Sequence, residues 1–151
     1  MTRHDFSFPP RPSAAAFPLP RLSPDHHPLG GHDAYGHVNN VVYYQWFDTA
    51  VNAHLIEHGV LDIHQGDTIG LVVETHCHYF SSLAFPQNVD AGIRVAHLGN
   101  SSVRYEVGLF AQGADLTAAH GHFVHVYVNR ESRRPVSALP TPLTTVLERL
   151  T

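Results

Sequence analysis

Residues 33 to 50 read D-A-Y-G-H-V-N-N-V-V-Y-Y-Q-W-F-D-T-A, and they change character halfway. The first half is a polar loop with one glycine; the second is mostly apolar. Gly36 gives the loop backbone freedom, and Asn39 or Asn40 can cap a helix by accepting a hydrogen bond from one of its first N–H groups. From Val41 to His58 the residues suit a helix of about five turns, and Gly59 is placed to end it in a left-handed cap. At about 100° per residue, Tyr43, Phe47, Ala50 and His54 line one face, and Trp46, Val51 and Ala53 flank it. Gln45, Asp48 and Asn52 form a narrow polar stripe opposite. A helix this apolar has to be enclosed by the rest of the fold.

The sequence after the helix is β in character. Residues 68 to 80 alternate, with Ile69, Leu71, Val73, Thr75, Cys77 and Tyr79 on one face and Val72, Glu74, His76, His78 and Phe80 on the other. Residues 88 to 98 place Val89, Ala91, Ile93 and Val95 on one side, and residues 101 to 111 do the same with Val103, Tyr105, Val107 and Leu109. The turn L-G-N-S-S joins them as a hairpin. If the apolar faces coincide, Val95 lies opposite Tyr105 and Ile93 opposite Val107, and Arg94 meets Glu106 on the far side. That register requires a loop with an odd number of residues or a bulge. Residues 115 to 129 read as the last long strand, and residues 135 to 150 as a loop with a short terminal helix.

Upstream, seven of the eleven prolines fall in residues 1 to 28, where they remove backbone donors and discourage helix and central strand. This stretch reads as an extended arm with an edge strand near Phe17 to Leu22. Residues 29 to 151 are expected to form one domain of class α+β: a curved antiparallel sheet of about five strands wrapped around one long central helix.

Composition narrows the function. The chain has 151 residues, 43% hydrophobic and 15% charged, with a formal net charge of -4. All nine basic residues are Arg. Nucleic-acid binding, which rests on a broad positive field, is disfavoured. No apolar run approaches the roughly 20 residues that cross a bilayer, and the first twenty residues lack a secretory h-region. The single Cys77 forms no internal disulfide, which fits a cytoplasmic protein.

The densest cluster of chemically useful residues is Asp33, Tyr35, Gly36, His37, Asn39 and Asn40, at the helix entrance. Backbone N–H groups there, at the positive end of the helix dipole, can hold a carbonyl oxygen as it becomes an oxyanion. A carboxylate just upstream can attack that carbonyl or deprotonate a water. The same residues also suit a plain helix cap with an Asx turn.

Residues 33 to 50 resemble the signature of the hotdog-fold acyl-CoA thioesterases, the 4-hydroxybenzoyl-CoA thioesterase-like branch, in which D-x-x-G-H-V-N-N or D-x-x-G-x-V precedes the central helix. The likeness continues through V-V-E-T-H-C-H-Y-F-S-S-L-A-F-P-Q-N-V, L-G-N-S-S-V-R-Y-E-V and V-N-R-E-S-R-R-P-V-S-A-L-P, and so covers residues 29 to 142. Several spaced motifs in order are more specific than any one. The resemblance implies that Asp33 is the catalytic carboxylate, as nucleophile or general base, and that the backbone amide of Asn40 polarises the thioester carbonyl. It implies that His37 orients Asp33 or a water, with Tyr35, Gly36, Asn39 and Tyr43 on the substrate. The motif is also similar to that of the plant fatty acyl-ACP thioesterases, in which an Asn stands where Tyr35 stands here. The segment R-L-S-P-D-H-H-P-L-G-G-H-D departs from the family's first strand and reads as an altered loop. No metal or organic cofactor is implied, since coenzyme A enters as part of the substrate. The family works as dimers with active sites at the interface, often paired into tetramers, so a homodimer or dimer of dimers is expected.

Three further groups carry separate expectations. Arg130, Arg133 and Arg134 follow the last strand and either solvate a turn or meet the phosphates of coenzyme A, which Arg binds bidentately. His76 and His78 share a strand face with Glu74, and His120 and His122 share another; this spacing can chelate a metal, but no four-ligand set is complete. Cys77 reads as a buried, inert thiol. The reaction expected is hydrolysis of an acyl-CoA thioester. The alternatives are a non-catalytic hotdog protein that binds acyl-CoA or acyl-carrier protein, a histidine-based metal enzyme and, below these, a hotdog hydratase.

Overall fold

The computed structural model describes residues 9–18, 36–84 and 87–151. Helix α1 spans Asn40–Glu57. Of the two candidate caps it is Asn39 that serves: its backbone is extended and its side chain accepts from the Val41 N–H at 3.1 Å. At the other end Gly59 takes φ +69°. The Gly59 N–H bonds the Ile56 carbonyl at 2.9 Å and the Val60 N–H bonds that of Leu55 at 3.0 Å, the paired bonds of a Schellman motif. Tyr43, Phe47, Ala50 and His54 are all buried, with Trp46 and Val51 beside them. Ala53 is exposed, and Leu55 takes its place in the core.

Four strands form one antiparallel sheet in the order β1-β4-β3-β2: β1 (Thr68–Tyr79), β2 (Val89–Leu98), β3 (Ser102–Ala111) and β4 (Ala119–Asn129). α1 packs on one face through Val89, Ala91, Ile93 and Val95 of β2, Val103, Tyr105, Val107 and Leu109 of β3, and Ala119, Phe123 and Tyr127 of β4. A short helix, α2 (Thr141–Glu148), adds Leu143 and Leu147 to the same core, and the Leu150 carbonyl accepts from the Val95 N–H at 2.8 Å.

The β2–β3 hairpin has the expected register: Val95 faces Tyr105, Ile93 faces Val107, and Arg94 faces Glu106. The Arg94 guanidinium and the Glu106 carboxylate are ion-paired. Of the two devices that the register allowed, the protein uses the bulge, at Ala96.

Three expectations are corrected. In β1 the alternation does not run unbroken, because the register shifts between Val72 and Glu74. One extra residue inverts every side chain beyond it. Gly70 and Val72 therefore align with Tyr127 and His125 on the helix side, while Ile69 and Leu71 share the outer face with Glu74, His76 and His78. The last strand begins at Ala119 rather than at 115, because the preceding residues pair with the arm. Ser13 bridges Leu116, the Ala14 N–H bonds the Asp115 carbonyl at 2.7 Å, and the Thr117 N–H bonds that of Pro12 at 3.1 Å. The sheet has four strands among the described residues. Of the edge strand expected near Phe17 to Leu22, residues 19–22 lie outside them, and Ala14–Ala16 form a single 3-10 turn.

The described part of the arm, residues 9–18, lies on the outer face of the sheet, away from α1. Phe17 is 7% exposed and packs edge-on to Phe110 at 5.7 Å. Its seat is made by two glycines that face each other across the hairpin, Gly92 and Gly108. A Cβ at Gly108 would come within 2.5 Å of the Phe17 ring. The Arg11 guanidinium donates to the Thr117 carbonyl at 2.6 Å and to Ser81 Oγ at 3.1 Å.

Two measurements test this packing. Phe17→Ala and Gly108→Ala each empty the same seat, so each is expected to destabilise the chain by roughly 2–4 kcal/mol, and the double variant by no more than the larger single; additive losses in urea unfolding would refute a shared seat. His125, on the helix side of β4, is 3% exposed among the rings of Tyr105, Phe123 and Tyr127. Burial pushes its imidazole down to about 4. The unfolded chain takes up that proton first as pH falls, so stability is full above the unfolded value of about 6.5 and drops toward pH 4, by an amount on the order of 3 kcal/mol. Unfolding free energies at pH 7.5 and 4.5 should show that loss in the wild type and a smaller one in His125→Phe.

Candidate active site

Burying α1 on one face leaves its first turn at the end of the sheet. Val38 is held there by its N–H bond to the Leu83 carbonyl at 3.0 Å, and His37 bridges Ala84. Gly36 has φ +77°, a conformation other residues adopt with strain. The Val41 N–H is taken by the Asn39 side chain and the Val42 N–H by the Asn39 carbonyl at 3.0 Å. The exposed Asn40 has no partner for its N–H among the described residues. It stands at the positive end of the helix.

Beside it lies an open cavity of about 310 Å³, lined by His37, Val38, Tyr43, Tyr79, Phe80, Ser81 and Ser82. The Tyr43 and Tyr79 rings meet edge to face at 4.9 Å. Burial pushes the Tyr79 phenol up, so it stays a neutral donor at ordinary pH. Asp33 and Tyr35 lie outside the described residues. Of the residues singled out from the sequence, Gly36, His37, Asn39, Asn40 and Tyr43 lie together at the start of α1, and His37 and Tyr43 line the cavity. Tyr79, Ser81 and Ser82 were not singled out from the sequence. Their signal was the S-S turn at the end of a long strand, and nothing local says that this turn comes back to the helix start.

The arginines sit elsewhere. Thr68 pairs with Asn129 at one end of β1, and Tyr79 with Ala119 at the other, about 36 Å away along the strand. Arg130 is at the Thr68 end. Its guanidinium donates to the carbonyls of Gly66, Asp62 and Ile63, stapling the loop between α1 and β1. Arg133, with φ +59°, and Arg134 are exposed in the adjoining turn. A second cavity, of about 290 Å³, opens at this end between α1, the loop and the sheet.

The histidines form one patch on the outer face. His76 lies opposite His122 and His78 opposite His120. The His76 and His122 rings stack at 5.3 Å, and His76 and His78 meet at 4.3 Å. His122 is bracketed: its Nδ1 accepts from Arg104 at 3.0 Å, so the ring proton is on Nε2, which bonds the Glu74 carboxylate. Burial, with the neighbouring His and Arg charges, pushes His76 down. Burial likewise lowers His120, against the pull of Glu106. Among the described residues no group of three His, Cys, Asp or Glu side chains is arranged to hold a metal ion. Burial pushes Cys77 up to about 12, so it remains a thiol. On α1, burial raises the Asp48 carboxyl, and a hydrogen bond from Asn52 opposes it. Among the described residues no helix is long and apolar enough to cross a membrane.

A family model of the thioesterase superfamily matches residues 35–118. The PA5185 protein of Pseudomonas aeruginosa strain PAO1 is similar at 51% identity over 94% of this chain and 97% of its own, with a TM-score of 0.88. A thioesterase from Thermus thermophilus, solved with coenzyme A and Zn, is 27% identical over 89% and 95%, with a TM-score of 0.69. The gentisyl-coenzyme A thioesterase BH1999 is 25% identical over 85% and 96%, with a TM-score of 0.67. No curated protein matches the chain. With a family model covering more than half its length and its fold shared with these structures, the chain belongs to the thioesterase superfamily.

Proposed function

We propose that the protein hydrolyses an acyl-CoA thioester to the free acid and coenzyme A. The observation that carries this is the Asn40 N–H at the start of α1, which has no partner among the described residues, near a cavity that a thioester carbonyl can enter. As the carbonyl carbon becomes tetrahedral, its oxygen takes negative charge. A fixed donor at the positive end of a helix stabilises that charge without having to reorganise. Asp33, seven residues upstream, supplies the base or nucleophile. As base it takes a proton from water, whose oxygen bonds to the carbonyl carbon; as nucleophile it forms a mixed anhydride that water then cleaves. In both routes the C–S bond breaks and the sulfur leaves as thiolate. In this reading His37 and the Tyr79 hydroxyl orient water or acid, and Tyr35, Gly36, Asn39 and Tyr43 are the residues assigned to substrate binding; the presence of His37, Tyr43 and Tyr79 in the cavity lining supports their part of it. No metal or organic cofactor takes part in this scheme, and the lone thiol suits a cytoplasmic setting.

The active form in this reading is a homodimer or a dimer of dimers joined through β1. That strand is an edge among the described residues, and Leu71, Val72 and Val73 are 37%, 46% and 59% exposed. A long apolar edge invites a second strand. Antiparallel pairing of two β1 strands about their middles exchanges their ends. The Arg133 and Arg134 turn of one subunit then approaches the helix start of the other, within reach of the coenzyme A phosphates.

Thiol release from a panel of short, medium, long-chain and aromatic acyl-CoAs should show turnover in the wild type and a loss of at least 100-fold in Asp33→Asn, with melting temperature unchanged. No turnover on any member would point instead to a binding protein, and activity indifferent to Asp33 would place the site elsewhere. Val73→Lys sets like charges against each other across the proposed seam. It should shift the sedimentation coefficient toward monomer and lower activity with it, whereas an unchanged assembly would remove β1 as the interface.

A further inference from the structure

Phe80, Ser81 and Ser82 form one wall of the cavity at the start of α1. Its two ends are anchored by the backbone. The Phe80 and Ser81 N–H groups both bond the Ala118 carbonyl, at 2.8 and 3.1 Å, and the Leu83 carbonyl accepts from the Val38 N–H at 3.0 Å. Leu83 is itself fully buried. Between these anchors Ser81 and Ser82 are exposed, so the set of the wall depends on what else grips it.

The grip comes from the arm, 70 residues away in the chain. Arg11 Nε donates to the Thr117 carbonyl at 2.6 Å, and its Nη2 donates to Ser81 Oγ at 3.1 Å. The centre of the guanidinium stands 5.9 Å from the centre of the Phe80 ring, within the range of a cation–π contact. One planar group thus touches two of the three wall residues and the residue just ahead of the Ala118 carbonyl. Exposed contacts of long side chains usually return little, because the side chain must first be ordered. At Arg11 the backbone does much of that ordering. The residue lies between Pro10 and Pro12, and a residue before proline is held to extended conformations. Pro12 is tied twice, its carbonyl accepting from both the N–H and the Oγ1 of Thr117 at 3.1 Å. Thr117 is fully buried, so the base of the Arg11 side chain is fixed beside its targets.

Resting on the thioesterase reading above, we propose that Arg11 is a positioning residue of the active site, through which the arm holds the Phe80–Ser82 wall against the helix start. Arg11 touches no substrate atom in this scheme. A wall free to move leaves bound substrate spread over more geometries, fewer of which bring its carbonyl to the Asn40 N–H, and a small misplacement is enough to slow an oriented reaction. The loss therefore falls on kcat and leaves KM nearly unchanged. Shape matters as well as charge, since a Lys ammonium is a point donor without the rigid fork that reaches both oxygens.

The test compares the full-length wild type with Arg11→Met, which keeps an apolar stem, Arg11→Lys, Ser81→Ala and the Arg11→Met/Ser81→Ala pair. kcat and KM are measured on the acyl-CoA that the wild type turns over fastest, well below the melting temperature of every variant. Arg11→Met is expected to lower kcat by roughly fivefold or more with KM within about twofold, Arg11→Lys to recover part of the loss, and the pair to fall no further than Arg11→Met alone. An unchanged kcat, a loss confined to KM, full activity in Arg11→Lys or additive losses in the pair would overturn the assignment. Amide hydrogen exchange followed by NMR needs no turnover and so separates this from the catalytic reading. Arg11→Met should speed exchange of the Phe80 and Ser81 amides by about tenfold or more, with the β2–β3 hairpin and the buried turns of α1 unchanged. If no acyl-CoA turns over and exchange still rises at those two amides, hydrolysis fails while the hold of Arg11 on the wall stands. If exchange there is unchanged, or rises evenly along the chain, the positioning role falls whatever the kinetics show.

Discussion

The burial of α1 against the sheet is the constraint from which the rest follows. Eight of its side chains are buried, from Val42 to Leu55, and together they make up much of the core. A helix with so narrow a polar stripe has no stable exposed form, so the antiparallel strands must present a matching apolar face. Their alternation supplies it, through positions 89, 91, 93 and 95 against 103, 105, 107 and 109. Once the apolar turns are covered, the first turn is left at the end of the sheet, where Asn40 is exposed and Val41 is 68% exposed. The donor that the proposed chemistry needs is thus a consequence of how the core is made.

Missing and extra atoms decide what the two faces of the sheet become. The single extra residue at Val73 turns half of β1 over. It brings Gly70 to the helix side, where the absent side chain lets the His125 and Tyr127 rings close over the strand. On the outer face Gly92 and Gly108 leave a trough that Phe17 fills, which straps the arm across the sheet next to the histidine patch. The prolines of the arm, Pro9, Pro10 and Pro12, then border a space of about 230 Å³ above those histidines.

The groups proposed for function are divided between the ends of the subunit. The Asn40 amide, His37 and Tyr43 are at one end; the arginine turn is at the other. A single chain does not bring them together. The exposed β1 edge offers a physical means of doing so, because antiparallel pairing exchanges ends, and the same apolar residues that make the edge a liability then stabilise the pair.

Much of this was legible in the residues themselves. The extent of α1, its left-handed stop at Gly59, the buried stripe from Tyr43 to His54 and the register of Arg94 against Glu106 all follow from local periodicity, turn chemistry and cross-strand pairing between neighbours in sequence. So did the gathering of His37, Asn39 and Asn40, since a helix start is a local event. The inversion of β1, the seat of Phe17, the return of Ser81 and Ser82 to the helix start, the stapling by Arg130 and the cavity beside His125 were not legible. Each depends on which distant residues end up adjacent: β4 against β1, the arm against residues 115–117, the loop at 62–66 against Arg130. Periodicity reports the side to which a residue turns relative to its neighbours in the chain. Only the packed sheet decides what it meets there, because a bulge or an absent Cβ acts on contacts between segments that are far apart in sequence.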